Sequence, residues 1–189
     1  YNFIYPGAGY GGSCFPKDVK ALTKIAKEND YDPKLITAVE EGNDAQKLVI
    51  AQKIVKRFGE NLNGFVFGIW GLAFKPDTDD MREAPAIYII KELVKRGAHI
   101  KAYDPKAIPE AKDQYLKDVK NISYVDSKYD ALKESDALVL LTEWKEFRSP
   151  DFSRIKLLLK NPIIFDGRNQ YNTNDLKEIG IKYYQIGKK

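Results

Sequence analysis

Cysteine, histidine and methionine are almost absent from this chain of 189 residues, which contains one of each. A single cysteine excludes a framework of internal disulfides and predicts a reducing, cytoplasmic location. The lone histidine, His99, lies at the start of a predicted strand, far in sequence from Cys14. A thiol hydrolase, which pairs its cysteine with a histidine base, is therefore disfavoured.

The chain also lacks long hydrophobic runs and a strong excess of charge of one sign. No apolar stretch approaches the roughly 20 residues that a membrane span requires, and no basic segment followed by an apolar core indicates a signal peptide. The net charge is +4, with Lys and Arg dispersed along the sequence. Neither a membrane nor a nucleic acid is therefore expected as a partner.

The chain begins at Tyr1 and enters a glycine-rich loop at Gly7, without a strand or helix before the loop. This start is typical of a segment from within a larger protein. We expect further sequence before Tyr1, and we expect the chain alone to be catalytically incomplete.

Residues 1–60 predict a small helical unit. Apolar residues recur at helical spacing over Phe15–Asn29, with Ser13 as a plausible cap, and again over Pro33–Phe58, where Gly59 ends the helix. The stretch Gly42–Asp44 could kink the second helix. Part of the apolar face of this second helix could need a second subunit to cover it.

Residues 61–189 predict a doubly wound, mainly parallel, Rossmann-like α/β domain. Strands are predicted over Phe65–Trp70, Ile100–Tyr103, Ile122–Val125, Ala137–Leu141, Ile163–Phe165 and Lys182–Ile186, and helices over Arg82–Arg96, Tyr129–Lys133, Phe152–Leu159 and Thr173–Ile179. Strands that are apolar throughout and alternate with helices indicate a parallel sheet covered on both faces. Its ligands are expected beyond the carboxyl ends of the strands.

Gly7, Gly9 and Gly12 match the spacing of a dinucleotide-binding fingerprint. That fingerprint also needs a strand before it, and a helix and a second strand after it. Here a second helix follows the first, so a dinucleotide fold at this loop is disfavoured. We expect instead that the glycines allow close approach of the backbone to a ligand, or a positive φ.

Cys14 follows this loop at the start of a predicted helix. The partial positive charge of a helix start and the nearby Lys17 both favour a thiolate, which is the nucleophilic form of cysteine. Asp18 lies one helical turn further along the same face, where it could hold a water or manage protons. A buried structural cysteine beside a surface Lys–Asp pair fits these residues as well.

Four segments, in order along the chain, resemble the UDP-glucose/GDP-mannose dehydrogenase family. The loop from Gly7 to Asp18 resembles the family's catalytic-cysteine segment, and Phe74–Pro85 resembles its loop after the first strand of the C-terminal domain. Thr142–Phe147 and Phe165–Asn169 resemble two later segments. Within the family, the sequence around Cys14 favours the UDP-glucose branch over enzymes for other nucleotide sugars.

The resemblance implies an NAD-dependent enzyme that oxidises the C6 alcohol of UDP-glucose to a carboxylate through a thiohemiacetal and a thioester on the cysteine. It implies that residues 1–60 carry the cysteine loop and the end of a central, dimer-forming helical domain. Residues 61–189 would be the UDP-sugar-binding domain. The implied partners are UDP-glucose, an NAD-binding domain that precedes this chain, and at least one further copy of the protein.

The resemblance also assigns individual residues, and Cys14 and Asp18 would be catalytic. Lys17 and Arg82 would contact NAD. The substrate would be bound by Phe3, Ile4, Tyr5, Pro6, Gly7, Gly11, Phe74, Lys75 and Arg168. Glu143 and Trp144 are expected to be structural, with Trp144 packed beneath a loop. No metal site is expected.

Two alternatives stay open. One is an enzyme of the same family that acts on GDP-mannose or another UDP-sugar. The other is a module that binds nucleotide sugars, or forms dimers, without any chemistry. Only an enzyme requires a reactive Cys14 and an NAD-binding domain in the same protein.

Overall fold

The computed structural model describes residues 5–188, in which three helices precede a sheet of six parallel strands. The first helices are α1 (Phe15–Glu28), α2 (Lys34–Lys47) and α3 (Val49–Phe58). The strands are β1 (Val66–Trp70), β2 (His99–Tyr103), β3 (Ile122–Tyr124), β4 (Ala137–Leu140), β5 (Ile163–Asp166) and β6 (Lys182–Gln185). The later helices are α4 (Pro85–Lys95), α5 (Ile108–Glu110, continued by a π-helical turn over Ala111–Tyr115), α6 (Phe152–Leu158) and α7 (Thr173–Glu178), with 3-10 turns at Asp130–Leu132 and Lys145–Phe147.

The strand order is β3-β2-β1-β4-β5-β6, and every neighbouring pair is parallel. Phe67 at the centre of the sheet lies opposite Ile100 of β2 on one side and Ala137 of β4 on the other. The order reverses between β1 and β4, which is where doubly wound sheets bind ligands. The predicted fold class, a Rossmann-like sheet preceded by helices, is confirmed.

Burial along the strands explains why the sheet is parallel. All four residues of β4 and of β5 are buried, as are the last four of β1, whereas the edge strands β3 and β6 are only partly covered. A strand that is apolar on both faces must be covered by helices on both sides. Right-handed crossovers through those helices then keep successive strands parallel.

The helices differ from the prediction in several places. The helical segment Ile108–Tyr115 was not predicted, and the predicted helix Tyr129–Lys133 is only a 3-10 turn over Asp130–Leu132.

Two helix boundaries also differ from the prediction. The predicted helix from Arg82 begins instead at Pro85, because Glu83 has φ +54° and Ala84 is extended at φ −64°, ψ 133°. Steric conflict with a following proline disfavours helical backbone, and proline itself suits the first helical position. The long second helix is broken at Leu48 and not at Gly42, which stays inside α2. A glycine inside a helix costs only about 1 kcal/mol, so it does not force a break.

The apolar side chains of the helical unit are unevenly covered. Ile54 of α3 is buried in the same core as the sheet, whereas Leu48 and Val55 beside it are only partly buried, so coverage of this face by a second subunit stays a prediction. Large apolar side chains are also exposed around α1 and α2: Tyr5, Phe15, Leu22, Ile25, Tyr31, Leu35 and Val39. The helical unit therefore exposes apolar surface around α1 and α2.

Candidate active site

The glycine loop, Gly7–Gly12, passes between α2 and the loop that joins β1 to α4. Two side chains of α2 bind its backbone: Gln46 donates Nε2 to the carbonyl of Gly7 at 2.6 Å, and Asn43 Oδ1 accepts the amide of Tyr10 at 2.8 Å. Asn43 Nδ2 also donates to the carbonyl of Tyr10 at 3.2 Å. These contacts satisfy backbone groups that a loop would otherwise leave unpaired.

At several of these positions, backbone conformation or close contacts within the protein require glycine. Gly9 and Gly12 both have φ +99°, a conformation that L side chains rarely adopt. A Cβ at Gly12 would lie 2.8 Å from the ring of Phe74, and one at Gly11 would collide with the backbone of Glu83. The predicted positive φ is confirmed. The close approach at Gly11 and Gly12 is to the β1–α4 loop.

Cys14 occupies the N-cap position of α1, and its side chain is exposed to solvent. The predicted cap at Ser13 is wrong, because Cys14 holds the cap position and no side chain closes the first turn. Ser13 Oγ lies 3.6 Å from Cys14 Sγ. The amide of Asp18 donates to the carbonyl of Cys14 at 2.9 Å, so Asp18 stands one turn further along the helix. The thiol is accessible, as a nucleophile for a soluble substrate must be.

Lys17 and Asp18 are both exposed, at 75% and 67% of their side-chain surface, and Lys17 Nζ lies 3.8 Å from Asp18 Oδ1. Side chains this exposed contribute little to stability through their pairing. Both are therefore free to turn towards a ligand beside Cys14.

The β1–α4 loop brings cations to the cysteine loop. The amide of Gly12 donates to the carbonyl of Arg82 at 2.7 Å, which places the two segments in direct contact. The Arg82 guanidinium binds Asp80, with Nη2 2.8 Å from Oδ2. The hydrogen bonds to Asp80 are the main cause of the raised pKa of Arg82. Lys75 Nζ lies 5.2 Å from the ring centroid of Phe74 on the same loop.

Arg168 approaches the glycine loop from the carboxyl end of β5. A Cβ added at Gly7 would lie 2.9 Å from Arg168 Nη1, so a side chain there would displace the guanidinium. Glu143, which follows β4, accepts from Arg168 Nη2 at 2.5 Å and holds it in place. Glu143 therefore does more than fill space, because its carboxylate orients Arg168, a candidate for binding the substrate. Phe3 and Ile4, which the resemblance assigns to the substrate, lie outside the described residues.

A buried carboxylate binds the loops that follow β1 and β4. Asp104 is 2% exposed, and its Oδ2 accepts from the amides of Leu72 and Ala73 at 2.7 and 3.1 Å. The indole of Trp144 donates to the same oxygen at 3.1 Å. Trp144 is itself buried, which confirms its structural role beneath the loop. The start of the β1–α4 loop is therefore fixed by a side chain at the end of β2.

Glu83 carries the densest set of ionic contacts in the site. Its Oε1 accepts from Lys20 Nζ of α1 at 2.7 Å, and its Oε2 accepts from Lys47 Nζ of α2 at 2.9 Å and from the hydroxyl of Tyr88 at 2.5 Å. Burial alone would raise the pKa of the carboxyl group. The three hydrogen bonds outweigh burial and lower the pKa from 4.5 to about 2.

Glutamine at position 83 is expected to lower the free energy of unfolding at neutral pH by about 1–2 kcal/mol, a figure discounted because the Glu83 side chain is 28% exposed. The folded-state pKa lies below the ordinary 4.5, so the stabilisation is present above that pH and is lost as the pH falls towards 2. Urea denaturation across this range should show the two proteins converging at low pH. A difference independent of pH would contradict the prediction.

Sequence reasoning located Cys14 but missed the residues that hold its loop. In the sequence, Asn43 belongs to a stretch that predicts a kink, and no local pattern marks Gln46, Lys47 or Glu83 as site residues. Glu83 lies within the segment that supports the resemblance, yet nothing in the sequence links it to lysines 63 and 36 positions away.

Within residues 5–188, no three His, Cys, Asp or Glu side chains come together as a metal site would require. The helices described there include none that is both long and apolar enough to cross a membrane.

Two family models match this chain. The model for the UDP binding domain of the UDP-glucose/GDP-mannose dehydrogenase family matches residues 68–173, and the model for the central domain of that family matches residues 1–45. The second match contains the cysteine loop, and the first contains the β1–α4 loop and Arg168.

Individual relatives give the same result. The chain is 42% identical to UDP-glucose 6-dehydrogenase of Pseudomonas aeruginosa strain PAO1 and 44% identical to UDP-glucose 6-dehydrogenase TuaD of Bacillus subtilis strain 168, each over 99% of this chain. The alignments cover 42% and 40% of those relatives, so the chain spans about two-fifths of their length. The solved UDP-glucose dehydrogenase of Pyrobaculum islandicum superposes with a TM-score of 0.78 and 29% identity, over 95% of this chain and 38% of that one.

Proposed function

Because the chain belongs to the UDP-glucose/GDP-mannose dehydrogenase family, we propose that it supplies the cysteine loop and the nucleotide-sugar-binding domain of a UDP-glucose 6-dehydrogenase. The observation that carries the proposal is the position of Cys14. Its thiol is exposed at the start of α1, on a loop in direct contact with the loop that carries Lys75 and Arg82. A nucleophile beside cations suits a substrate with a diphosphate.

Cys14 is the proposed nucleophile for the aldehyde stage of the oxidation. Its thiolate would bond to the aldehyde carbon of the sugar, and the carbonyl electron pair would move to oxygen. After loss of hydride, the acyl group would stay on Sγ as a thioester. Water would then add to the thioester carbon, and the C–S bond would break with its electrons returning to sulfur. Asp18, one turn beyond Cys14, would orient that water or accept its proton.

Two exposed cations near the thiol fit the binding of an anionic dinucleotide. Lys17 is 75% exposed, and Arg82 is 58% exposed although Asp80 binds its guanidinium. Lysine and arginine are the side chains that bind phosphate groups. We therefore propose that Lys17 and Arg82 contact NAD, which supplies the hydride acceptor when bound.

The substrate is proposed to lie between the cysteine loop and the carboxyl ends of β1 and β5. Lys75 and Arg168 would provide positive charge there, since both lie beyond the carboxyl ends of strands: Lys75 follows β1 at the switch point, and Arg168 follows β5. The described residues that would line this space are Tyr5, Pro6, Gly7, Gly11, Phe74, Lys75 and Arg168. Phe74 packs against Gly12, so it would fix the shape of the loop.

The proposal extends to the organisation of the protein. We assign residues 1–60 to the central domain and residues 61–189 to the UDP-sugar domain, and we place the protein in the cytoplasm. The exposed apolar side chains around α1 and α2 suit a surface that meets a second copy or another domain, because large apolar patches are rarely left in water.

Lys75→Ala is expected to weaken UDP-glucose binding by roughly 1.5–3 kcal/mol, because a charged hydrogen bond to the ligand would be lost. The protein for this test is the complete enzyme, meaning this chain together with the NAD-binding domain that we propose accompanies it. Calorimetry measures the dissociation constant, with the exposed Lys91→Ala of α4 as the matched control. An unchanged dissociation constant for Lys75→Ala would show that the Lys75 side chain stays in solvent and does not contact the ligand.

The same titration separates the alternatives. Tighter binding of GDP-mannose than of UDP-glucose would favour a GDP-mannose enzyme. Binding of UDP-glucose without any production of NADH by the complete protein would favour a module without chemistry.

A further inference from the structure

The Glu83 carboxylate joins three helices that lie far apart in the sequence. Lys20 stands six residues after Cys14 on α1, Lys47 is the last residue of α2, and Tyr88 lies on α4 of the sheet domain. All three donate to one side chain, at 2.7, 2.9 and 2.5 Å. The helices α1 and α2 are therefore connected to α4 of the sheet domain through a single residue.

Lys47 depends strongly on its contact with Glu83, because the Lys47 side chain is only 2% exposed. A buried ammonium group is unfavourable unless a counter-charge accompanies it. The other carboxylate near it, Asp44, is 3.4 Å away but 74% exposed, and Tyr88 presents its ring at 4.2 Å from Nζ. Glu83 is consequently the main counter-charge for this lysine.

The backbone at Arg82 and Glu83 also contacts the glycine loop. Glu83 has φ +54°, which is uncommon for a residue with a side chain. In this conformation the carbonyl of Arg82 accepts the amide of Gly12 at 2.7 Å, and the carbonyl of Glu83 faces Gly11 so closely that a Cβ there would collide with it. The side chain of Glu83 thus binds α1, α2 and α4, while the backbone at Arg82 and Glu83 contacts the glycine loop that precedes α1.

We propose that Glu83 is a positioning residue, which fixes the cysteine loop on the sheet domain and so sets the place of Cys14 relative to a bound nucleotide sugar. Glu83 acts through Lys20 and Lys47. The kinetic consequence rests on the proposed function, whereas the structural consequence rests on the contacts alone.

Glu83→Gln tests the structural consequence, because it keeps the length of the side chain and removes its charge. Hydrogen–deuterium exchange of the amides of Tyr10 and Gly12 should become about tenfold faster, since local opening of the loop costs less. The rate of Cys14 alkylation by iodoacetamide should also change, and Cys14 is the only thiol that can report. Glu92→Gln is the matched control, because Glu92 is 25% exposed and pairs with Arg96.

The kinetic consequence is tested in the complete enzyme. Glu83→Gln should lower kcat by about 10- to 100-fold, since a displaced nucleophile loses its alignment. The KM for UDP-glucose should stay within about threefold of the wild-type value, because the ligand's own contacts remain. Glu92→Gln should change neither constant. A Glu83→Gln enzyme with a raised KM and an unchanged kcat would overturn the positioning role and make Glu83 a binding residue.

Exchange at wild-type rates in Glu83→Gln would overturn the proposal directly. If Glu83→Gln does not fold, the double variant Glu83→Gln with Lys47→Met removes the unpaired buried charge and takes its place. Faster exchange of the loop in this folded double variant supports the proposal, and wild-type exchange overturns it. Should the wild-type enzyme show no turnover dependent on Cys14, the proposed function fails, while the exchange experiment still decides whether Glu83 holds the loop.

Discussion

Replacing Cys14 with serine is expected to lower the kcat for oxidation of UDP-glucose by at least about a hundredfold in the complete enzyme. A serine hydroxyl is nearly the same size as a thiol, but it ionises far less at neutral pH and is a much weaker nucleophile. The aldehyde stage would therefore lose the covalent acceptor that holds the acyl group for hydrolysis. The measurement is the steady-state production of NADH, followed by absorbance.

The matched control for Cys14→Ser is the affinity for UDP-glucose. Cys14 is exposed, and its Sγ contacts only the Ser13 hydroxyl at 3.6 Å among the hydrogen-bond partners that the structure describes. The substitution should leave the dissociation constant within a few-fold of the wild-type value. A variant that keeps more than about a tenth of the wild-type kcat would remove Cys14 from the mechanism, because loss of a covalent nucleophile costs far more than tenfold. The proposed covalent mechanism would then fail, whereas the family assignment, which rests on similarity, would stand.

Asp104→Ala is expected to lower the free energy of unfolding by about 3–4 kcal/mol. Oδ2 accepts from the amides of Leu72 and Ala73 and from the Trp144 indole, while Oδ1 accepts from the amides of Lys106 and Ala107 at 2.9 and 2.8 Å. Alanine would leave these donors without their acceptor at a position that is 2% exposed. A buried donor without an acceptor costs more than the hydrogen bond contributed.

Urea denaturation of this chain measures the effect of Asp104→Ala, with the exposed Asp126→Ala as the control for loss of a carboxylate. Asp104→Asn should give an intermediate loss, because one amide oxygen remains an acceptor while the amide NH₂ faces other donors. A loss below about 1 kcal/mol for Asp104→Ala would show that water or a rearranged loop satisfies the donors. The β1–α4 loop would then owe its position to other contacts.

The comparison of Cys14 with Glu83 shows which part of the site could be predicted. Cys14 lies in a contiguous stretch of glycine, serine, proline, lysine and aspartate, and every feature that suggests its chemistry is local. Glu83 acts on Lys20 and Lys47, which are 63 and 36 residues away. No periodicity or spacing relates charges at such distances. Their pairing follows from how α1 and α2 pack beside α4.

Arg168 and Glu143 give a second example of the same distinction. Their segments both resemble parts of the family, so the sequence marked them as belonging to the site. The side-chain contact between them, at 2.5 Å, depends on β4 and β5 being neighbours in the sheet. Glu143 was accordingly expected to be structural, and its contact with Arg168 emerged only from the strand order.

The sequence by itself determined the parallel sheet, the order of its six strands along the chain, and the cysteine at a helix start. These follow from local patterns: fully apolar strands such as Ala137–Leu140 must be covered on both faces, and glycine, proline and cysteine act within a few residues of where they stand. The tertiary structure alone decided that α4 begins at Pro85 and that Lys47 is buried against Glu83. It also decided that Arg168 reaches Gly7. Each of these depends on the packing of segments distant in the chain, because burial and ionic pairing are set by neighbours in space and not by neighbours in sequence.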